Sequence, residues 1–165
     1  MLDGIHKIHL IGIGGSGMRA IANILIQKGY DVSGSDVADS AVIEKFRNMG
    51  ATVHIGHNKD YVKGVDAVVR STAIREDNPE IVAAKEQGIT ILHRSDIVKA
   101  VLDVTDGIAV AGAHGKTSTT SMIGQILVEA EADPTVIIGG EVDYLKGSSC
   151  LGKGHFSVVE ADESD

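Results

Sequence analysis

The sequence predicts an α/β protein built on parallel sheet, and three observations carry that prediction. Short runs rich in Ile and Val alternate with amphipathic stretches, glycines punctuate the joints, and a strand–glycine loop–helix pattern occurs twice. Residues 6–13 read as the first strand. Residues 16–28 read as a helix with Met18, Ile21, Ala22 and Leu25 on one face, stopped by Gly29. A second strand covers 32–35. Ser40 caps a helix over 41–49 that ends at Gly50, followed by a short strand around Val53 and a buried-type strand over 65–69. Asn78 caps and Pro79 opens a further helix, which Gly88 closes; a strand over 90–92 and a helix over 95–102 complete a unit of about a hundred residues.

Residues 103–107 read as a connector, after which the pattern restarts. A strand over 108–111 leads through a glycine-rich turn to a helix over 117–130, then a strand over 135–138, a loop, and a strand over 156–160. Parallel-type sheets are normally covered on both faces. Three strands and one helix leave one face bare, so the expectation is a truncated second unit from a longer protein, or a homodimer that covers the open face.

Composition narrows the function. With 43% apolar and 23% charged residues in 165, the chain is an ordered globular protein rather than a disordered one. Aromatics make up only 3%, Trp is absent and the net charge is −8, which argues against a nucleic-acid partner. No run approaches the roughly 20 apolar residues of a bilayer crossing, so no membrane partner is expected. One cysteine, Cys150, and no basic-apolar leader point to the cytoplasm.

The first loop, Gly12-Ile13-Gly14-Gly15-Ser16-Gly17, fits the dinucleotide fingerprint, with Asp36 at the end of the second strand as its acidic partner. Such a loop brings backbone N–H groups and a helix N-terminus against a pyrophosphate. NAD, FAD and a nucleotide-diphosphate sugar all satisfy it, and a glycine turn made only for packing is the plainer alternative. The second loop, Gly112-Ala113-His114-Gly115-Lys116-Thr117, ends in the Gly-Lys-Thr that supplies an ammonium to β/γ-phosphates and a hydroxyl to Mg²⁺. It departs from the general P-loop, which would have glycine at Val110. A lysine in a helix's first turn opposes the helix dipole unless an anion is present, so the loop reads as a triphosphate cradle.

Acidic residues close the chain. Glu160 follows Val158 and Val159 at a strand's C-terminal edge, where Mg²⁺ would be held; Asp162, Glu163 and Asp165 are either further ligands or a solvated tail. His54 and His57 lack companions for a zinc set, His114 is either an anion donor or loop filler, and Cys150 reads as inert. Three functional classes remain open on these residues: an ATP-dependent ligase, a nicotinamide-dependent oxidoreductase using the first loop alone, and a non-catalytic module that binds a nucleotide-diphosphate sugar.

Five stretches in order become specific. Gly12 to Met18, Gly34-Ser35-Asp36, Ser71-Thr72-Ala73-Ile74 with Asn78-Pro79-Glu80, His114 to Thr120, and Glu160-Ala161-Asp162-Glu163-Ser164-Asp165 together resemble the Mur ligase family of bacterial peptidoglycan synthesis, in its alanine-adding branch. The resemblance runs the whole length of the chain and matches about the first third of the family's three-domain architecture. It implies a Rossmann-like UDP-sugar-binding domain over 1–103 and the beginning of a P-loop-type ATP-binding domain over 104–165. It also implies ligation of L-alanine to the carboxylate of UDP-N-acetylmuramate through an acyl phosphate, with ATP and Mg²⁺, for which this chain alone is incomplete. By the same resemblance Gly12, Gly14, Gly15, Ser16, Gly17, Met18, Asp36 and Ser71 bind the UDP-sugar. Gly112, Ala113, His114, Gly115, Lys116, Thr117 and Ser118 bind ATP, with Lys116 catalytic, and Thr117 and Glu160 serve the metal. Ala113 stands where the family loop commonly has Thr.

Overall fold

The computed structural model describes residues 2–161. A first sheet contains five parallel strands, β1 (Lys7–Ile11), β2 (Asp31–Asp36), β3 (Thr52–Ile55), β4 (Ala67–Arg70) and β5 (Thr90–His93), in the order β3-β2-β1-β4-β5. Strand order reverses at β1, and loops at the C-terminal ends on either side of such a switch point form a crevice. Helices α1 (Ser16–Gln27), α2 (Ala41–Asn48) and α4 (Arg94–Leu102) bury Met18, Ile21, Leu25, Ile43, Phe46 and Ile97 on the face that carries Ile8 and Leu10. Helix α3 (Pro79–Glu86) covers the opposite face, with Ile81 and Ala84 against Ile11 and Val68.

The expected caps form. The Ser40 hydroxyl accepts from the Ile43 amide at 3.3 Å, and the Asn78 side-chain Oδ1 accepts from the Glu80 amide at 2.9 Å. Helix α4 starts one residue earlier than the sequence suggests, because His93 acts as its cap and Asp96 reaches back to the His93 amide at 2.7 Å.

A second sheet has the order β6-β9-β7-β8, from β6 (Asp106–Val110), β7 (Thr135–Val142), β8 (Gly147–Cys150) and β9 (Phe156–Glu160). Helix α5 (Lys116–Glu129) lies on one face. β6 starts inside the expected connector, and β8 runs antiparallel to β7 where the sequence reads as loop. The Gly-Ser-Ser-Cys segment has neither apolar alternation nor β-branched residues to announce a strand. Its partners supply the pairing instead.

The bare face expected of the second sheet is not bare. Helix α1 lies across it, burying Ala20 and Ile24 against Ile137 and Val159, with Val101 of α4 alongside. The Ser149 hydroxyl donates to the Ala20 carbonyl at 3.0 Å, and the Asn23 side-chain Nδ2 donates to the Ser149 carbonyl at 3.1 Å. The cover lies over β7, β8 and β9, while Ala109 on the outer strand β6 stays exposed. A helix apolar on two sides is buried on two sides. Ala20 and Ile24, four residues apart and off the stripe of Met18, Ile21 and Leu25, were the signal. Among the described residues no helix is long and apolar enough to cross a membrane.

Candidate functional site

The first glycine loop is held from behind. Gly12 takes a left-handed φ of +74°, and its amide and that of Ile13 donate to the Ser35 carbonyl at 2.8 and 3.1 Å. The Gly15 amide closes the turn on the Gly12 carbonyl at 3.0 Å, and the Gly14 amide donates to Asp36 Oδ2 at 2.8 Å. A Cβ at Gly14 would stand 3.0 Å from that carboxylate oxygen, so the residue is small because Asp36 approaches it. The Arg94 guanidinium lies over Gly17, where a Cβ would meet it. Sequence reasoning missed Arg94. No pattern in the sequence marked it, because Asp96 in the same first turn of α4 already answers the helix dipole.

The second loop is tied to itself and to the end of β9. Gly115, with φ +77°, is the N-cap of α5, the Lys116 ammonium donates to the Gly112 carbonyl at 2.8 Å, and the Thr117 hydroxyl donates to Glu160 Oε1 at 2.9 Å. The other Glu160 oxygen accepts from the Gly139 amide at 2.7 Å. Ala113, His114 and Ser118 are exposed. Asp162, Glu163 and Asp165 lie outside the described residues. One hydroxyl and one carboxylate in contact suit Mg²⁺, which takes most of its shell from phosphate and water.

Helix starts sort into two kinds. Helices α2, α3 and α4 are each capped by a side chain and carry an acid in the first turn, Glu44, Glu80 and Asp96. Helices α1 and α5 have glycine caps, no side-chain cap bond and no acid there. The amides of the first turn lack helical acceptors, and an anion is the natural partner where no side chain serves. Among the α-helices of the described residues, the two glycine loops are thus the places where that positive end is left open.

A cleft of about 540 Å³ opens beside the first loop and runs to Glu160. Gly12, Gly14, Gly15, Ser16, Gly17, Met18, Asp36 and Ser71 line it, together with Arg94, Gly139 and Glu160. Residues 112–118 do not line its wall; they reach it through the Thr117–Glu160 bond. Among the other sequence candidates, His54 stacks on Tyr61 with ring centroids 4.0 Å apart, His57 lies beside Ser35, and burial pushes the Cys150 thiol pKa up.

Comparison with known proteins adds relatives to this geometry. The model of the Mur ligase family, catalytic domain, matches residues 7–104. A UDP-N-acetylmuramate–L-alanine ligase from a Sulfurihydrogenibium strain is 48% identical over 161 residues, which is 98% of this chain and 36% of that protein. The same-named ligase of Delftia acidovorans is 47% identical over the full 165 residues and 35% of its own length. Among solved structures, the UDP-N-acetylmuramate–alanine ligase of Thermotoga maritima superposes with a TM-score of 0.89 at 36% identity, over 96% of this chain and 37% of that one. A murein peptide ligase of Psychrobacter arcticus gives 0.87 at 29%, over 98% and 38%. The chain spans about a third of the length of the curated relatives it matches.

Proposed function

The chain belongs to the Mur ligase family, and from that premise we propose that it forms the sugar-nucleotide and ATP-binding part of an ATP-dependent amide-forming ligase. The reaction joins L-alanine to the carboxylate of UDP-N-acetylmuramate. Two domains divide the work, 1–103 for the UDP-sugar and 104–165 for the start of the ATP site. One observation carries the reading: a single cleft is lined by the first glycine loop and by Glu160, and Glu160 is bonded to Thr117 of the second loop. A diphosphate-linked sugar and a triphosphate therefore have neighbouring seats with one carboxylate between them.

The residues divide the chemistry as follows. The open first-turn amides of Ser16, Gly17 and Met18, with Arg94 above them, take the diphosphate. Asp36, already holding Gly14, and Ser71 face the nucleoside. Lys116 releases the Gly112 carbonyl and takes the β- and γ-phosphates, neutralising charge as a carboxylate oxygen of the sugar attacks the γ-phosphorus and ADP leaves. Thr117 and Glu160 would hold Mg²⁺, which supplies further charge neutralisation when bound. The alanine amine then attacks the acyl carbon, loses its proton and displaces phosphate. In a chain about a third of its relatives' length, the binding half of this activity is what we expect to measure.

Calorimetry with UDP-N-acetylmuramate, ATP and NAD tests the reading. Uptake of the first two and not of NAD supports it; NAD binding with no UDP-sugar or ATP binding favours an oxidoreductase. Alanine-dependent ADP release by the 165-residue chain would overturn the restriction to binding.

A further inference from the structure

Behind the first glycine loop, on the α3 side of the first sheet, lies a buried polar cluster that the proposed chemistry does not use. Glu80, in the first turn of α3, and His9, in the middle of β1, are both fully buried. One Glu80 oxygen accepts from the Ser35 hydroxyl at 2.7 Å and stands 3.5 Å from His9 Nε2. The other accepts from the Asn58 amide at 3.2 Å and stands 3.4 Å from His57 Nδ1. Burial pushes the Glu80 carboxyl up, but His9 and the Ser35 hydroxyl outweigh it and hold the group below the usual carboxylate range. Replacing buried charge by apolar groups of similar volume is often neutral or stabilising, so folding alone gives little reason for a carboxylate here.

Ser35 links this cluster to the site. Its hydroxyl is held by Glu80 while its carbonyl holds the Gly12 and Ile13 amides, and the next residue, Asp36, holds Gly14. All three loop amides therefore hang on a two-residue segment whose side chain is anchored below the sheet. We propose that Glu80 is a positioning residue for the first glycine loop, fixing Ser35 so that the loop aims the first-turn amides of α1 and the Asp36 carboxylate at the bound diphosphate and ribose. The ligand assignment rests on the function proposed above; the mechanical link from Glu80 to the loop does not.

The test uses the full chain with Glu80→Gln, Ser35→Ala and the double variant, reading UDP-N-acetylmuramate and ATP affinities by calorimetry and amide exchange at Gly12 and Ile13. Each single substitution should weaken the sugar nucleotide roughly tenfold, leave ATP within about twofold, and speed exchange at both amides. Because the two residues act along one path, the double variant should be no worse than the weaker-binding single variant by more than about twofold. Unchanged affinity and exchange in folded variants, or additive losses, overturn the proposal. If Glu80→Gln does not fold, Ser35→Ala decides by the same two readouts. If the unaltered chain takes up no UDP-N-acetylmuramate, the functional reading falls, while exchange at Gly12 and Ile13 still decides the role of Glu80.

Discussion

The two glycine loops begin their helices alike and differ in what braces them. The first is held by the end of β2, Ser35 and Asp36, which fix its amides before any ligand arrives. The second is closed on itself by Lys116 on the Gly112 carbonyl, and its one outside contact is a side-chain bond, Thr117 on Glu160, rather than a hold on its amides. A loop braced from outside is preformed, whereas a loop closed on its own cation must exchange that contact for a phosphate. The first site is therefore expected to bind with little rearrangement, and the second to change its Lys116 and Thr117 contacts on binding.

Removing the cation strikes hardest at this contrast. Lys116→Ala should lower ATP affinity by roughly a hundredfold or more while sugar-nucleotide affinity stays within about twofold, read by calorimetry. Equal losses at both sites would erase the distinction. Ile24→Ala comes next, since Ile24 packs α1, a helix of the first unit, onto the second sheet; we expect a loss of roughly 2–5 kcal/mol and one cooperative unfolding transition. Two separate transitions would mean that each unit stands alone. Gly14→Val pushes Asp36 out of its place and should weaken the sugar nucleotide by about tenfold, leaving ATP unaffected.

Acid should produce the smallest effect, and an uneven one. Burial, as the first cause, lowers the pKa of His54 and of His93, both in the first unit. For a base whose folded-state pKa is depressed, the folded state resists protonation. Stability is then full above the unfolded value near 6.5 and declines as pH falls through it toward the folded value. Amide exchange between pH 7.5 and 5.5 should rise at β3 and β5 more than at β7. A uniform rise, or one centred on β7, would contradict the assignment.

The sequence made the helices of the first unit legible because caps, apolar spacing and closing glycines agreed, as at Ser40, Ile43, Phe46 and Gly50. Strand β8 was hidden because small polar residues take up a strand only when a neighbour offers the ladder. The cover on the second sheet was hidden for a related reason: Ala20 and Ile24 belong to a helix already assigned to another core. At the site, the glycines, Asp36, Lys116 and Glu160 were readable from motif spacing. Arg94 and the Ser35–Glu80 bond were not, since each joins segments far apart in sequence by a contact that periodicity does not encode.

The double duty of α1 has a practical corollary for anyone dividing the molecule. Cutting at residue 103 would wet the Ala20–Ile24 strip on one fragment and strip Ile137 and Val159 of their cover on the other. Each half, expressed separately, should be stickier and less soluble than the intact chain, and mixing the two should restore a monodisperse complex.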